Sequence, residues 1–152
     1  MKRKTWLRFF AACCIVTALL LFGRTRYDMT ADYWQQVKMN CNLHPLQTVF
    51  RYFRLLTGDY SPYLRRHAFA NLVGNVLLFI PLGYFPPLLW ESFRPLWRCL
   101  LWSALIITAA ELLQLLTLLG RCDIDDLLLN LLGTLLGHTI YRLQRTFSSP
   151  NP

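Results

Sequence analysis

Charge is scarce in this sequence: 16% of its 152 residues are Asp, Glu, Lys or Arg, against roughly a quarter in soluble domains. That leaves too little polar cover for a water-facing surface. Acid is scarcer still, with 8 Asp and Glu against 16 Lys and Arg and a net charge of +8. Such a balance first suggests nucleic acid as a partner, but the basic residues cluster at the ends of long apolar runs, where a bilayer places them. The five cysteines are scattered without framework spacing, which excludes a disulfide-stapled miniprotein. No HExxH pair and no histidine-and-arginine set of the lipid-phosphatase kind is present. Apolar residues dominate instead, at 55% with 14% aromatic. Disorder is thereby excluded, and an all-α integral membrane protein is implied.

Crossing a hydrocarbon core of about 30 Å takes roughly 20 apolar residues at 1.5 Å each. Four runs qualify: Trp6 to Gly23, Ala68 to Leu89, Leu96 to Leu119 and Ile124 to Leu143. The first follows Lys2, Arg3 and Lys4 like a secretory signal, yet no small-residue cleavage site comes after it, so it reads as an uncleaved anchor, 1–23. Pro86-Pro87 is expected to stop the second run. Trp6, Tyr84, Trp90, Trp97 and Tyr141 mark several ends as interfacial aromatics. The expected architecture is a bundle of four transmembrane helices, with a three-helix core at 68–143 and a short tail at 144–152. Between the first two spans lies a 44-residue extramembrane loop, 24–67. Within it Leu46, Val49, Phe50, Phe53 and Leu56 recur at helical spacing around Arg51 and Arg54. They predict a short amphipathic helix, lying on the membrane or packed on its own protein. Equal numbers of basic residues fall on the two sides, so the positive-inside rule abstains. The basic start favours cytoplasmic N- and C-termini in a multi-pass protein.

The costly residues are the informative ones. A charge at the centre of a spanning helix costs about 2.5 to 3.5 kcal/mol on insertion scales. Glu111 stands in the third run about 13 Å from its end at Gly120, too deep to snorkel easily, and Gln114 shares its helix face. Asn71 and Asn75 share a face near the start of the second run. The fourth run opens with Asp123, Asp125 and Asp126, followed by Asn130. Connectivity places all of these, with Arg121, in one half of the bilayer, whichever way the chain is inserted. With Arg65 and Arg66 at its mouth, the group reads as one hydrated pocket. Blander readings stand beside this one. Asp123 suits an N-cap, and Asp125 and Asp126 suit a helix first turn. Arg121 could pair with those acids, and the asparagines could be interhelical hydrogen-bonding residues. Gly133 and Gly137 form a GxxxG pair that admits a close helix neighbour, and offer a face for homo-oligomerisation. Cys122 lies near the pocket without a partner spaced for metal, and no metal site or cofactor is expected.

Four ordered motifs then resemble the VanZ-like family: Asn42-Leu43-His44-Pro45; Asn71-Leu72-Val73-Gly74-Asn75 through Phe79-Ile80-Pro81-Leu82-Gly83; Glu111-Leu112-Leu113-Gln114; and Asp123-Ile124-Asp125-Asp126 through Asn130-Leu131-Leu132-Gly133. The resemblance spans about residues 40 to 140. It implies a small multi-pass protein of the bacterial cell membrane, related to one associated with resistance to teicoplanin, a lipid-tailed glycopeptide antibiotic. No generally accepted enzymatic activity comes with the resemblance. One departure is Arg121-Cys122-Asp123, where the family's approach to the aspartates is Arg-Ser-x-Asp.

The favoured function is non-enzymatic binding of an amphiphile at the outer leaflet: a lipid-linked wall precursor, a lipid headgroup or a lipoglycopeptide. Arginines would meet phosphate or carboxylate, while Glu111 and the amides would meet hydroxyl, amide or ammonium groups. The alternatives are an intramembrane enzyme using Glu111 and Asp126 on a lipid-linked substrate, and an oligomeric lipid transporter.

Overall fold

The structure is a computed structural model and describes residues 3–22 and 32–148. Its described residues are helical apart from two short strand segments, one 3-10 turn and the connections. Helix α1 covers Arg3–Phe22, α2 Tyr33–Met39, α3 Gln47–Thr57, α4 Pro62–Leu89, α5 Leu96–Leu116 and α6 Ile124–Ser148. Strand β1, Cys41–Asn42, pairs in parallel with β2, Cys122–Asp123.

Three helices are long and apolar enough to cross a membrane: α1 over Arg3–Leu21, α4 and α5. The fourth expected span, α6, has 25 residues, about 37 Å of helix, but its composition is more polar. The reason lies in its packing, since Asn130, Thr134 and His138 form a buried stripe at four-residue spacing, each at most 1% exposed. The end of the first run at Gly23, the loop residues up to Ala31 and the tail after Ser148 lie outside the described residues.

Several expected boundaries move. Helix α4 begins six residues before Ala68, inside the expected loop, because Ser61 caps it by accepting the Leu64 amide and Pro62 pre-sets its first turn. It also runs through Pro86-Pro87 to Leu89. Each proline removes one amide donor, which leaves the carbonyls of Leu82 and Gly83 without their usual helix partners. The Cys99 thiol of α5 lies 4.0 and 3.8 Å from those two oxygens. The expected tail is likewise helical through Ser148.

The centre of the fold is the contact of α4 with α6, and glycine sets its closeness. A Cβ on Gly133 would stand 2.1 Å from the Val76 carbonyl oxygen, and one on Gly137 would stand 2.0 Å from that of Ile80. Across the same seam, a Cβ on Gly83 would stand 1.9 Å from the Thr134 carbonyl oxygen. Backbone therefore meets backbone. The Gly133/Gly137 face offered by the sequence for a second copy is occupied by α4 of the same chain. At the far end His138 Nε2 lies 3.0 Å from the Arg94 carbonyl oxygen, pinning the α4–α5 connection, and the Tyr84 hydroxyl donates to Gln144. Helix α1 packs peripherally on α4, through Trp6, Phe9 and Phe10 around Phe85.

Candidate functional site

The α5–α6 turn and the long loop are fastened together by two aspartates. Asp123 Oδ1 accepts the Asp125 amide at 3.0 Å, the N-cap geometry expected of it. Its Oδ2 reaches away from α6 and accepts the Thr48 hydroxyl at 2.6 Å and the Asn42 amide group at 3.2 Å. Asp125 does not serve its own helix. Its carboxylate accepts the backbone amides of Leu46 at 2.5 Å, Thr48 at 2.7 Å and Val49 at 3.0 Å. These are orphan donors at the start of α3. Leu46, in the N-cap position at φ 64°, has no capping side chain to satisfy them. The cap is supplied from α6, and Asp125 is fully buried beneath it.

This fastening turns α3 so that Tyr52 and Leu55 face inward while Phe50 and Phe53 remain more than 60% exposed. Below α3 opens a cavity of about 780 Å³ bounded by α1, α3, α4, α5 and the α5–α6 turn. Seven of the nine expected binding residues line it: Asn71, Asn75, Glu111, Gln114, Arg121, Asp123 and Asp126. The other two do not. Asp125 is spent on capping α3, and Asn130 is buried in the α6 stripe. Arg65 and Arg66, expected at the mouth, are exposed and do not line the cavity. Their place is taken by Arg51, with Tyr52 and His67 beside it. Position on an amphipathic helix flagged Arg51, but nothing local to the sequence showed which way α3 would roll.

Most cavity polar groups are held. Asn75 donates to Asp126 Oδ1 at 2.5 Å, joining α4 to α6. Asn71 donates to the His67 carbonyl at 2.8 Å, within α4. Gln114 donates to the Leu21 carbonyl at 2.8 Å and anchors the end of α1 on α5. Arg121 is exposed and forms no ion pair with the neighbouring aspartates; among the described residues the ion pair is Glu91–Arg94. Burial, and then the Asp126 carboxylate, raises the Tyr52 phenol above its ordinary value, and the phenol oxygen accepts a hydrogen bond from Arg51. Glu111 differs from the rest. It is 6% exposed with Asp126 nearby, its carboxyl accepts the Asp123 backbone amide, and its Oε2 has no hydrogen-bond partner. No group of three or more His, Cys, Asp and Glu among the described residues is arranged to hold a metal ion.

Apolar space adjoins the cavity. A crevice of about 170 Å³ between α1, α4 and α5 shares Leu21 and Leu78 with it. That crevice in turn shares Phe10, Leu82 and Ile106 with a groove of about 280 Å³ that ends at Trp90, Phe93 and Trp102.

A family model described as VanZ/LLP1 matches residues 9–145, nearly the whole chain. No curated protein and no solved structure matches it.

Proposed function

The chain belongs to the VanZ/LLP1 family, and on that premise we propose that it binds an amphiphile, head in the polar cavity and chain along the adjoining groove. It is a multi-pass protein of the bacterial cell membrane in this reading, with both termini cytoplasmic and α6 as the fourth span. The polar stripe of α6 faces protein rather than lipid, which is where a membrane tolerates it. Phe50 and Phe53 of α3 rest in the outer interface, with the Arg54 guanidinium reaching to headgroups.

One observation carries the reading: a buried Glu111 carboxylate oxygen without a partner on the wall of a 780 Å³ cavity. An unsatisfied buried acceptor costs free energy that a ligand donor would recover. Such a donor is a hydroxyl, amide or ammonium group, as wall precursors, lipid headgroups and lipoglycopeptides all provide. Arg51 and Arg121 supply the complementary contacts for phosphate or carboxylate.

The test is photocrosslinking in native membranes with two probes, a diazirine phospholipid and a diazirine isoprenyl phosphate. Labelling of residues near Leu78 and Leu82, lost in Glu111→Gln and Asn75→Leu proteins present at normal levels, supports the proposal. Equal labelling of wild type and both variants overturns it. Teicoplanin susceptibility measured on the same strains shows whether the antibiotic is the amphiphile. An enzymatic reading draws support from Glu111 and Asp126 sharing the cavity as a carboxylate pair. Turnover of a labelled lipid phosphate that disappears in Asp126→Asn would favour it over simple binding.

A further inference from the structure

Of the five cysteines, Cys13 and Cys14 lie in α1 and Cys99 in α5, each within a helix apolar enough to span. Cys41 and Cys122 are different. One belongs to the long loop and the other to the α5–α6 turn, and they meet as directly paired residues of the β1–β2 ladder. Neighbouring strands run about 4.8 Å apart, which falls within the roughly 4.4–6.8 Å between Cα atoms that a disulfide bridges. Parallel pairing places both side chains on the same side of the ladder, and the Cys122 thiol is within hydrogen-bonding reach of that of Cys41. Both residues are half-buried rather than sealed from solvent.

We propose that Cys41 and Cys122 form an intramolecular disulfide that locks the loop onto the α5–α6 turn at the rim of the polar cavity. On the orientation proposed above, with both termini cytoplasmic, the oxidant is a disulfide of the extracytoplasmic compartment, carried by a thiol oxidase or a small thiol. One thiolate attacks the external S–S bond and forms a mixed disulfide, releasing the first external thiol. The second cysteine then attacks its partner's sulfur, releasing the second. Two cysteine thiols lose two electrons, the external disulfide gains them, and the two protons leave on the released thiols.

The position gives the bond a consequence. Asp123, next to Cys122, lines the cavity, and Asn42, next to Cys41, donates to it. A few hydrogen bonds hold this junction while the thiols are reduced, among them Cys122 N–H to the Asn40 carbonyl at 3.0 Å and the Thr48 hydroxyl to Asp123 at 2.6 Å. A covalent link fixes the register of β1 against β2 and holds α3 over the cavity.

Cells expressing the full chain are quenched in acid, alkylated in denaturant and digested without reductant. The expected product is one peptide pair joined through Cys41 and Cys122, two hydrogens lighter than the separate peptides, while Cys13, Cys14 and Cys99 are alkylated. Cys41→Ser and Cys122→Ser proteins each lose it. Reducing the purified protein quickens amide exchange at Leu46, Thr48 and Val49 several-fold, and Cys41→Ser reproduces that rate without reductant. Recovery of both thiols alkylated overturns the proposal. So does linkage of either cysteine to a different cysteine or to a second copy of the chain.

Discussion

The Asp125 carboxylate accepts the amide of Thr48 at 2.7 Å, tying the first turn of α6 to the first turn of α3 across 77 residues of chain. A short helix with an unprotected N-terminus is marginal by itself. Here its orphan donors end on a buried anion, so the roof of the cavity is fixed to the same turn that carries two of its acids.

Removing that anion exposes the dependence. Asp125→Ala leaves three backbone amides without their acceptor, and hydrogen bonds to a charged group contribute about 1.5–3 kcal/mol each, not additively. A loss of at least about 2 kcal/mol is expected. Asp125→Asn, which keeps one side-chain oxygen, loses less. Thermal unfolding in mild detergent checks the order wild type, Asn, Ala. An Ala variant as stable as wild type would show that α3 does not rely on this cap.

Much of this arrangement is legible in the amino-acid sequence alone. The spanning helices announce themselves by length and apolarity, and α3 by the spacing of Val49, Phe50, Phe53 and Leu56. Connectivity by itself places Glu111, Asn75 and Asp126 at one depth. Long-range partners are a different matter. No local pattern tells Asp125, which caps another helix, from Asp126, which meets Asn75. The same holds for Gly133 and Gly137, where the motif predicts a close neighbour but not that α4 of the same chain supplies it. The seven residues of α2 carry too little periodicity to be read, and its place depends on a distant contact, the Tyr33 hydroxyl donating to the Leu116 carbonyl at 2.7 Å.

The glycine seam makes a paired prediction. Gly137→Ala puts a methyl group 2.0 Å from the Ile80 carbonyl oxygen, and neither backbone can yield without parting α4 from α6. Overpacking of this kind costs about 1–3 kcal/mol or more. Gly74→Ala, in the same α4 but with nothing within 4 Å of the new Cβ, removes only the helix penalty of glycine. It is expected to stabilise by about 0.5–1 kcal/mol. Matching effects of the two substitutions on detergent melting temperature would contradict the seam.

Thiol chemistry gives a pH signature. Burial, and then the neighbouring Glu111 carboxylate, push the Cys122 thiol up to about 11, because both disfavour the thiolate. Below that value the group is protonated and slow to react. In fully reduced protein, iodoacetamide labelling of Cys122 should therefore climb about tenfold per pH unit from 7 to 10, as the thiolate fraction does. Peptide mass spectrometry across that range reads it directly, and a plateau by pH 9 would place Cys122 in a less sheltered setting.

Glu111 separates a binding role from a structural one. Its Oε2 is buried and unpartnered, so the folded protein gains little from that oxygen and bears the cost of desolvating it. Glu111→Gln keeps the side-chain volume and one oxygen for the Asp123 amide, and it should leave the melting temperature unchanged or raise it. A ligand donor that meets Oε2 loses a hydrogen bond when an amide nitrogen replaces that oxygen, worth about 0.5–1.5 kcal/mol, or roughly 2- to 10-fold in affinity. Binding of the photoreactive lipid probes and thermal stability, measured on one preparation, should thus move apart. If stability falls together with binding, Glu111 is holding the α5–α6 turn in place and the cavity has another purpose. Asp126→Asn gives the contrasting case. Its Oδ1 accepts the Asn75 amide at 2.5 Å, so weakening that bond should lower stability and binding together.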